Sequence, residues 1–268
     1  YSILFYGGAP IKGGGIFALV TARTEYNHSE YSYKVYEVNK AMTAWLPVTD
    51  FYEPVVMING RGNNYETAKS TNLAYTASPQ LLEARNILTT RFKAYFTSDG
   101  SSTSFRLPYS GLANESVTCR IYTSLTDYTE WVIMPDAVSD TQTFYTAEIT
   151  MRVDRSKGIV YFTGADNKDY PVPAMSMYHE NNICVRAGKS AANEELREIC
   201  TLTCCAVYDS KLIFSGGSEN GKIYSVAYSN PLYFSEKNTS IIGETGSGIN
   251  ALLPTKNGIL AFKENAVY

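Results

Sequence analysis

Histidine is almost missing from this chain. His28 and His179 are the two present in 268 residues, so an imidazole acid–base pair or a histidine metal cluster has little to be built from. Both sit in turn-like strings, Tyr26-Asn-His-Ser-Glu30 and His179-Glu-Asn-Asn182, where exposed turn residues are expected. Basic runs are absent too. Lys and Arg total 23 against 26 Asp and Glu, a formal charge of −3, and no stripe of cations answers to a phosphate backbone, which argues against nucleic-acid recognition. Apolar runs stay short, Ile16-Phe-Ala-Leu-Val20 among them, well below the roughly 20 residues a membrane-spanning helix needs. No membrane span is expected.

Further motifs fail on inspection. The string Gly243-Glu-Thr-Gly-Ser-Gly-Ile-Asn250 mimics a phosphate loop but lacks its Lys-Ser/Thr, and Gly246-Ser-Gly248 has no helix behind it to make a nucleophile elbow. Gly7-Gly8 and Gly13-Gly14-Gly15 do not form the strand, Gly-x-Gly-x-x-Gly, helix unit of a dinucleotide site. The five cysteines, Cys119, Cys184, Cys200, Cys204 and Cys205, are an odd number without the regular spacing of a disulfide scaffold, and reduced thiols are expected. Adjacent Cys204 and Cys205 on a strand would point to opposite faces, which argues against zinc. No metal and no cofactor are expected. The sequons at Asn27, Asn114 and Asn238 carry meaning only in a secretory pathway and are read as chance. The abrupt apolar openings at both ends, Tyr1 onward and Ile259 to Tyr268, read as a piece of a longer protein.

What the chain does have is tyrosine, 22 of them, within a 13% aromatic and 44% hydrophobic composition that favours sheet. Short β-prone runs recur about every ten residues over the first 60: Ile3–Tyr6, Ile16–Thr21, Tyr31–Val38, Ala44–Val48 and Val55–Ile58. Glycine- and asparagine-rich breaks separate them, as in a meander. Gln80–Leu88 could form a helical turn or two after Ser78-Pro79. From Arg91 a second pattern starts, with an Asp99-Gly100 hairpin turn and strands expected at Val117–Tyr122, Glu130–Met134, Phe144–Val153, Ile159–Thr163 and Asn182–Arg186. Ser190–Glu198 is the one clear helix-friendly charged stretch after this pattern, and it reads as a solvated linker. Strands then resume at Cys200–Tyr208, Lys211–Ser215 and Lys222–Tyr228.

Two groups of motifs resemble bacteriophage proteins. Ile223-Tyr-Ser-Val-Ala-Tyr-Ser-Asn-Pro-Leu-Tyr-Phe234, then Ile241-Ile-Gly243 and Gly258-Ile-Leu-Ala-Phe-Lys-Glu264, resembles a blade boundary in the β-propellers of phage tails and head-to-tail connectors. Asp99-Gly100, Phe105-Arg-Leu107, Gly158-Ile-Val-Tyr-Phe162 and Asn181-Asn-Ile183 resemble the β-sandwich inserted in phage structural proteins. The resemblance covers some 200 residues and implies an all-β chain in which a β-propeller is interrupted by a β-sandwich. Residues 1–90 would be the first propeller part, 91–188 the sandwich and 189–268 the second propeller part. It further implies a non-enzymatic virion protein of the tail or connector, assembled in the bacterial cytoplasm, whose partners are other virion proteins and further copies of itself.

One candidate contact surface stands out, the loop Asn59-Gly-Arg-Gly-Asn-Asn-Tyr65. Its glycines free the backbone, Arg61 and Tyr65 are residue types that anchor interfaces, and Asn63 and Asn64 lie between them. Two alternatives remain: a receptor-binding module that presents tyrosines to a host glycan or surface protein, and a propeller glycoside hydrolase. The hydrolase would draw on Asp50, Glu53, Asp127, Glu130 or Asp136, of which no spacing pairs any two.

Overall fold

A computed structural model describes residues 1–23, 31–61, 80–173, 181–190, 192–216, 221–244 and 246–268. The fold is nearly all β, and it divides into two compact units. The first comprises Tyr1–Tyr52, Asn86–Thr89 and Ala191–Tyr268; the second comprises Glu53–Arg85 and Thr90–Ser190.

The first unit opens with a meander: β1 (Ser2–Gly7), β2 (Ile16–Arg23), β3 (Tyr31–Val38) and β4 (Trp45–Pro47), antiparallel and paired in sequence order. Period-2 alternation divides its residues between two faces. Tyr6, Phe17, Leu19 and Val35 enter the core of the unit, whereas Ile3, Phe5, Ile16 and Trp45 occupy the opposite face.

Among its described residues the second unit holds ten strands. These are β5 (Val55–Arg61), β6 (Gln80–Leu81), β7 (Arg91–Thr97), β8 (Ser104–Arg106), β9 (Val117–Tyr122), β10 (Tyr128–Ile133), β11 (Ser139–Phe144), β12 (Ala147–Asp154), β13 (Ile159–Gly164) and β14 (Ile183–Gly188). They form a six-stranded sheet, β10-β9-β14-β7-β5-β6, and a four-stranded one, β11-β12-β13-β8, around a shared core. Trp131 on β10 is fully buried there. Its ring meets Phe144 and Phe162 of the other sheet at 5.9 and 5.5 Å, and its indole N–H donates to the Ile149 carbonyl at 3.0 Å, so the one polar atom it buries is satisfied.

Two sequence expectations are corrected here. The boundary at residue 90 moves, because β5 pairs in parallel with β7 and so carries Glu53–Arg85 into the second unit. Asp99-Gly100 does turn, with Gly100 at φ 77°, but β7 and β8 belong to different sheets and do not pair. The Asp99 carboxylate accepts from the Ser101 and Ser102 amides at 2.9 and 2.7 Å, which stabilises a corner between sheets as readily as a hairpin.

The chain then re-enters the first unit through α1 (Asn193–Cys200), followed by the meander β15 (Leu202–Tyr208), β16 (Lys211–Gly216), β17 (Lys222–Ala227) and β18 (Thr239–Ile241), and the hairpin β19 (Ala251–Thr255) and β20 (Gly258–Phe262). The stretch read as a solvated linker is therefore a short helix, and Ile199 plugs it into the core. Leu212, Phe214, Tyr224 and Val226 face the first meander across that core, while Ala206 and Ile213 turn the other way, to the side on which β19 packs. Three sheets thus succeed one another face to face.

Gln80–Leu88 contains no helix among its described residues. Gln80–Leu81 is a strand, and Ile87 and Leu88 are buried in the core. After β17 the chain loops, and Leu232 and Phe234 are inserted into the core. Asn86 ties these two loops together. Fully buried, it donates to the carbonyls of Tyr52 and Leu232 at 2.9 and 2.7 Å and accepts from the amides of Leu88 and Phe234 at 3.1 and 3.0 Å. All four hydrogen-bonding positions of the amide are used.

Candidate interaction surface

Of the loop singled out in the sequence, Arg61 ends β5, opposite Thr97. Asn63, Asn64 and Tyr65 lie outside the described residues, as do His28 and His179.

Each of the five candidate carboxylates has a partner of its own. Asp50 pairs with Lys12 at the surface, and Glu130 pairs with Arg120 at 2.7 Å. Glu53 takes a two-pronged contact from Arg186, at 2.9 and 2.8 Å. Asp127 accepts from the Ser124 hydroxyl at 2.8 Å, and Asp136 from the Asn114 amide at 2.5 Å.

Cys204 and Cys205 do diverge across β15. The Cys204 thiol approaches the Ser215 carbonyl at 3.4 Å, while Cys205 packs on the core of the first unit. Burial pushes every cysteine thiol up, Cys205 to about 12, which disfavours the thiolate that metal binding or nucleophilic attack needs. Among the described residues no three His, Cys, Asp or Glu side chains cluster as a metal would require, and no helix is long and apolar enough to cross a membrane.

Among the described acidic side chains, Glu37 is the buried one. It is 4% exposed, and its carboxylate accepts from the backbone amides of Ile11, Lys12, Gly13 and Gly15 at 3.0, 2.9, 2.9 and 3.2 Å. Burial pushes its carboxyl up, yet the four N–H groups together hold it below the ordinary carboxylate range. The triple glycine is what allows this. Gly15 takes φ 73°, and a Cβ on Gly13 would run into the Val38 carbonyl. The concave run of amides resembles an anion-binding nest, but the protein's own carboxylate fills it. Glu198 plays a comparable part at the helix. It accepts from Lys222 at 2.6 Å and from the Tyr224 hydroxyl, whose pKa is raised by burial and then by that carboxylate. Both arrangements tie loops or helix to sheet.

Three surfaces remain. The back of the second meander carries an open polar hollow of about 390 Å³ lined by Lys211, Ser225, Lys237, Asn238, Thr239 and Ser240. On the second unit, the outer side of β9 and β10 presents Tyr122 and Tyr128, ring centroids 5.4 Å apart, with the Arg120 guanidinium 4.6 Å from the Tyr128 ring. The third is the outward face of the first meander, part of which is exposed and apolar. Ile3 is 55%, Phe5 58% and Trp45 44% exposed, and the Phe5 and Trp45 rings meet at 5.6 Å. Sequence reading missed this face, although Ile3-Leu-Phe-Tyr6 is apolar at every position. A strand with one wet side would alternate.

No protein-family model, no curated protein and no solved structure matches the chain.

Proposed function

We propose that this chain is a non-enzymatic assembly protein, a virion component of a bacteriophage tail or head-to-tail connector. On this reading its first unit is a run of propeller blades and its second an inserted sandwich. The observation that carries the reading is the open stack of sheets in the first unit. Two four-stranded meanders and a hairpin succeed one another face to face, and the stack ends on Ile3, Phe5 and Trp45 without a cover. Apolar sheet faces of this kind mark surfaces that meet other protein. The phage assignment itself rests on the sequence resemblance. Purified particles of the source virus should contain the chain in fixed copy number by quantitative mass spectrometry. Its presence only in the soluble lysate would refute the proposal.

Recognition of a host glycan or surface protein is a second reading, favoured by the Arg120, Tyr122 and Tyr128 grouping, since tyrosine and arginine supply rigid contact area in binding surfaces. A glycan-array signal lost on Tyr128→Ala, with particles still complete, would promote it.

A further inference from the structure

The polar hollow on the back of the second meander is lined by hydrogen-bond donors and, among the described residues, by no carboxylate. Neighbouring strands build it. Register sets Lys211 opposite Ala227 and Ile213 opposite Ser225, so alternation turns Leu212, Tyr224 and Val226 into the core and leaves Lys211, Ser225 and Ala227 on the back. Residues 237–240 close the far side. There the Ser225 amide donates to the Asn238 carbonyl at 2.9 Å, and Ser240 stands opposite Ile223. Buried Ser235 holds this segment in place. It pairs with Asn86 in an antiparallel bridge, its hydroxyl accepts from the Lys237 amide at 3.3 Å, and its carbonyl accepts from the Asn238 amide at 3.2 Å. The backbone of Lys237 is thus fixed while its side chain is exposed.

Lys211, Ser225, Lys237, Asn238, Thr239 and Ser240 surround about 390 Å³, and among the described residues none of these side chains is engaged by a hydrogen bond or ion pair within the chain. Lys12, Lys157, Lys168 and Lys222, by contrast, each have a carboxylate partner. On a chain with a formal charge of −3, two unpaired ammonium groups make a locally positive concavity, and a cleft lined by one sign of charge concentrates ions of the other. The cations are lysines. An ammonium is a point charge with rotatable donors and suits a tetrahedral oxyanion, whereas a planar carboxylate is what the arginine fork matches. The volume falls within the roughly 300–1,000 Å³ of small-molecule sites, which leaves room for whatever carries the oxyanion. Three hydroxyls and an amide can each donate and accept, as the hydroxyls of a carrier require. We infer that the hollow binds a phosphate monoester on a small hydroxylated molecule, of the size of a sugar phosphate. Lys211 and Lys237 neutralise the phosphoryl group, and Ser225, Asn238, Thr239 and Ser240 hydrogen-bond to it and to its carrier. This stands independently of the assembly reading above.

The test titrates the whole chain with ribose 5-phosphate, inorganic phosphate and ribose, read by backbone amide chemical shifts. Ribose 5-phosphate is expected to shift the amides of Ser225 and residues 237–240 saturably, inorganic phosphate to shift the same amides with lower affinity, and ribose to shift none of them. Because both cations are exposed, Lys211→Gln and Lys237→Gln should each weaken binding about two- to fivefold, and the double variant should weaken it more than either. Added salt should weaken it as well, since screening shortens the reach of both charges. Lys157→Gln, in the second unit, should leave binding unchanged. The amide spectrum of each variant checks its fold, which exposed lysines do not support. No saturable shift with ribose 5-phosphate would overturn the inference. So would binding that survives the double lysine variant, or ribose that binds as well as its phosphate. Equal affinity for inorganic phosphate and ribose 5-phosphate would overturn the carrier and make free phosphate the ligand.

Discussion

Replacing Glu37 by Gln tests whether the glycine loop is held by charge. Glu37 accepts four backbone hydrogen bonds, two on each oxygen: Ile11 and Gly15 on one, Lys12 and Gly13 on the other. Glutamine keeps the shape but only one accepting oxygen, and its NH2 would point at two N–H groups that can only donate. Hydrogen bonds to an ionised group contribute about 1.5–3 kcal/mol each, so losing two of them should cost about 3 kcal/mol. That is a large part of the 5–15 kcal/mol typical of a domain. The sign of the pH dependence follows from the shift. The folded carboxyl titrates below its ordinary value of 4.5, so its contribution is complete above that value and is lost as pH falls through the folded pKa. The gap between wild type and Glu37→Gln should therefore be widest above the ordinary value of 4.5 and shrink as pH falls below it toward the folded pKa. Denaturant-dependent hydrogen exchange on residues 16–21 measures the loss, with residues 117–122 of the second unit as an internal reference. Equal stabilities at neutral pH, or a gap that persists in acid, would refute the reasoning.

Asn86→Asp should lower the stability of the first unit by about 3–5 kcal/mol, since two donated bonds vanish and a carboxylate is left facing the Tyr52 and Leu232 carbonyls. Burial raises the new carboxyl's pKa, so the loss should deepen as pH rises through it, and thermal melts that improve with rising pH would contradict this. Among the thiols, a native-state maleimide time course read by peptide mass spectrometry should label half-exposed Cys200 first and buried Cys119 last, faster at higher pH because all five pKa values are raised by burial. Immediate labelling of Cys119 at neutral pH would show its surroundings to be open.

Strand positions were legible because each is a local matter of β-prone residues between turn formers. Ile16–Thr21, Tyr31–Val38 and Val117–Tyr122 fall within or on β2, β3 and β9. Pairing was not. The Asp99-Gly100 turn reads locally as a hairpin, yet whether two flanking strands pair depends on which sheet each joins. That is decided by distant partners: β14 for β7 and β13 for β8. The aromatic pair Tyr233-Phe234 shows the same dependence on distant partners. Phe234 lies in the core alongside Phe214, at 4.7 Å, and Asn86 supplies the hydrogen bond a neighbouring strand would otherwise give its amide. Burial with an outside partner overrode strand propensity.

The exposed apolar face of the first meander had a sequence signal that went unused. Loop composition drew attention to Arg61 and Tyr65 because arginine and tyrosine anchor interfaces in general, but residue type alone does not say which side of a strand is covered. Periodicity does. In β1 both parities are apolar, Leu4 and Tyr6 on one side and Ile3 and Phe5 on the other, whereas one side suffices for the core of this unit. The hairpin repeats the pattern with Leu252 and Leu253 and again with Ile259 and Leu260. A strand apolar on both sides belongs in the interior of a layered structure. Here such strands stand at the two ends of the stack, with neighbours on one side only. The mismatch between a two-sided sequence and a one-sided environment is what sets these faces apart from the polar loops.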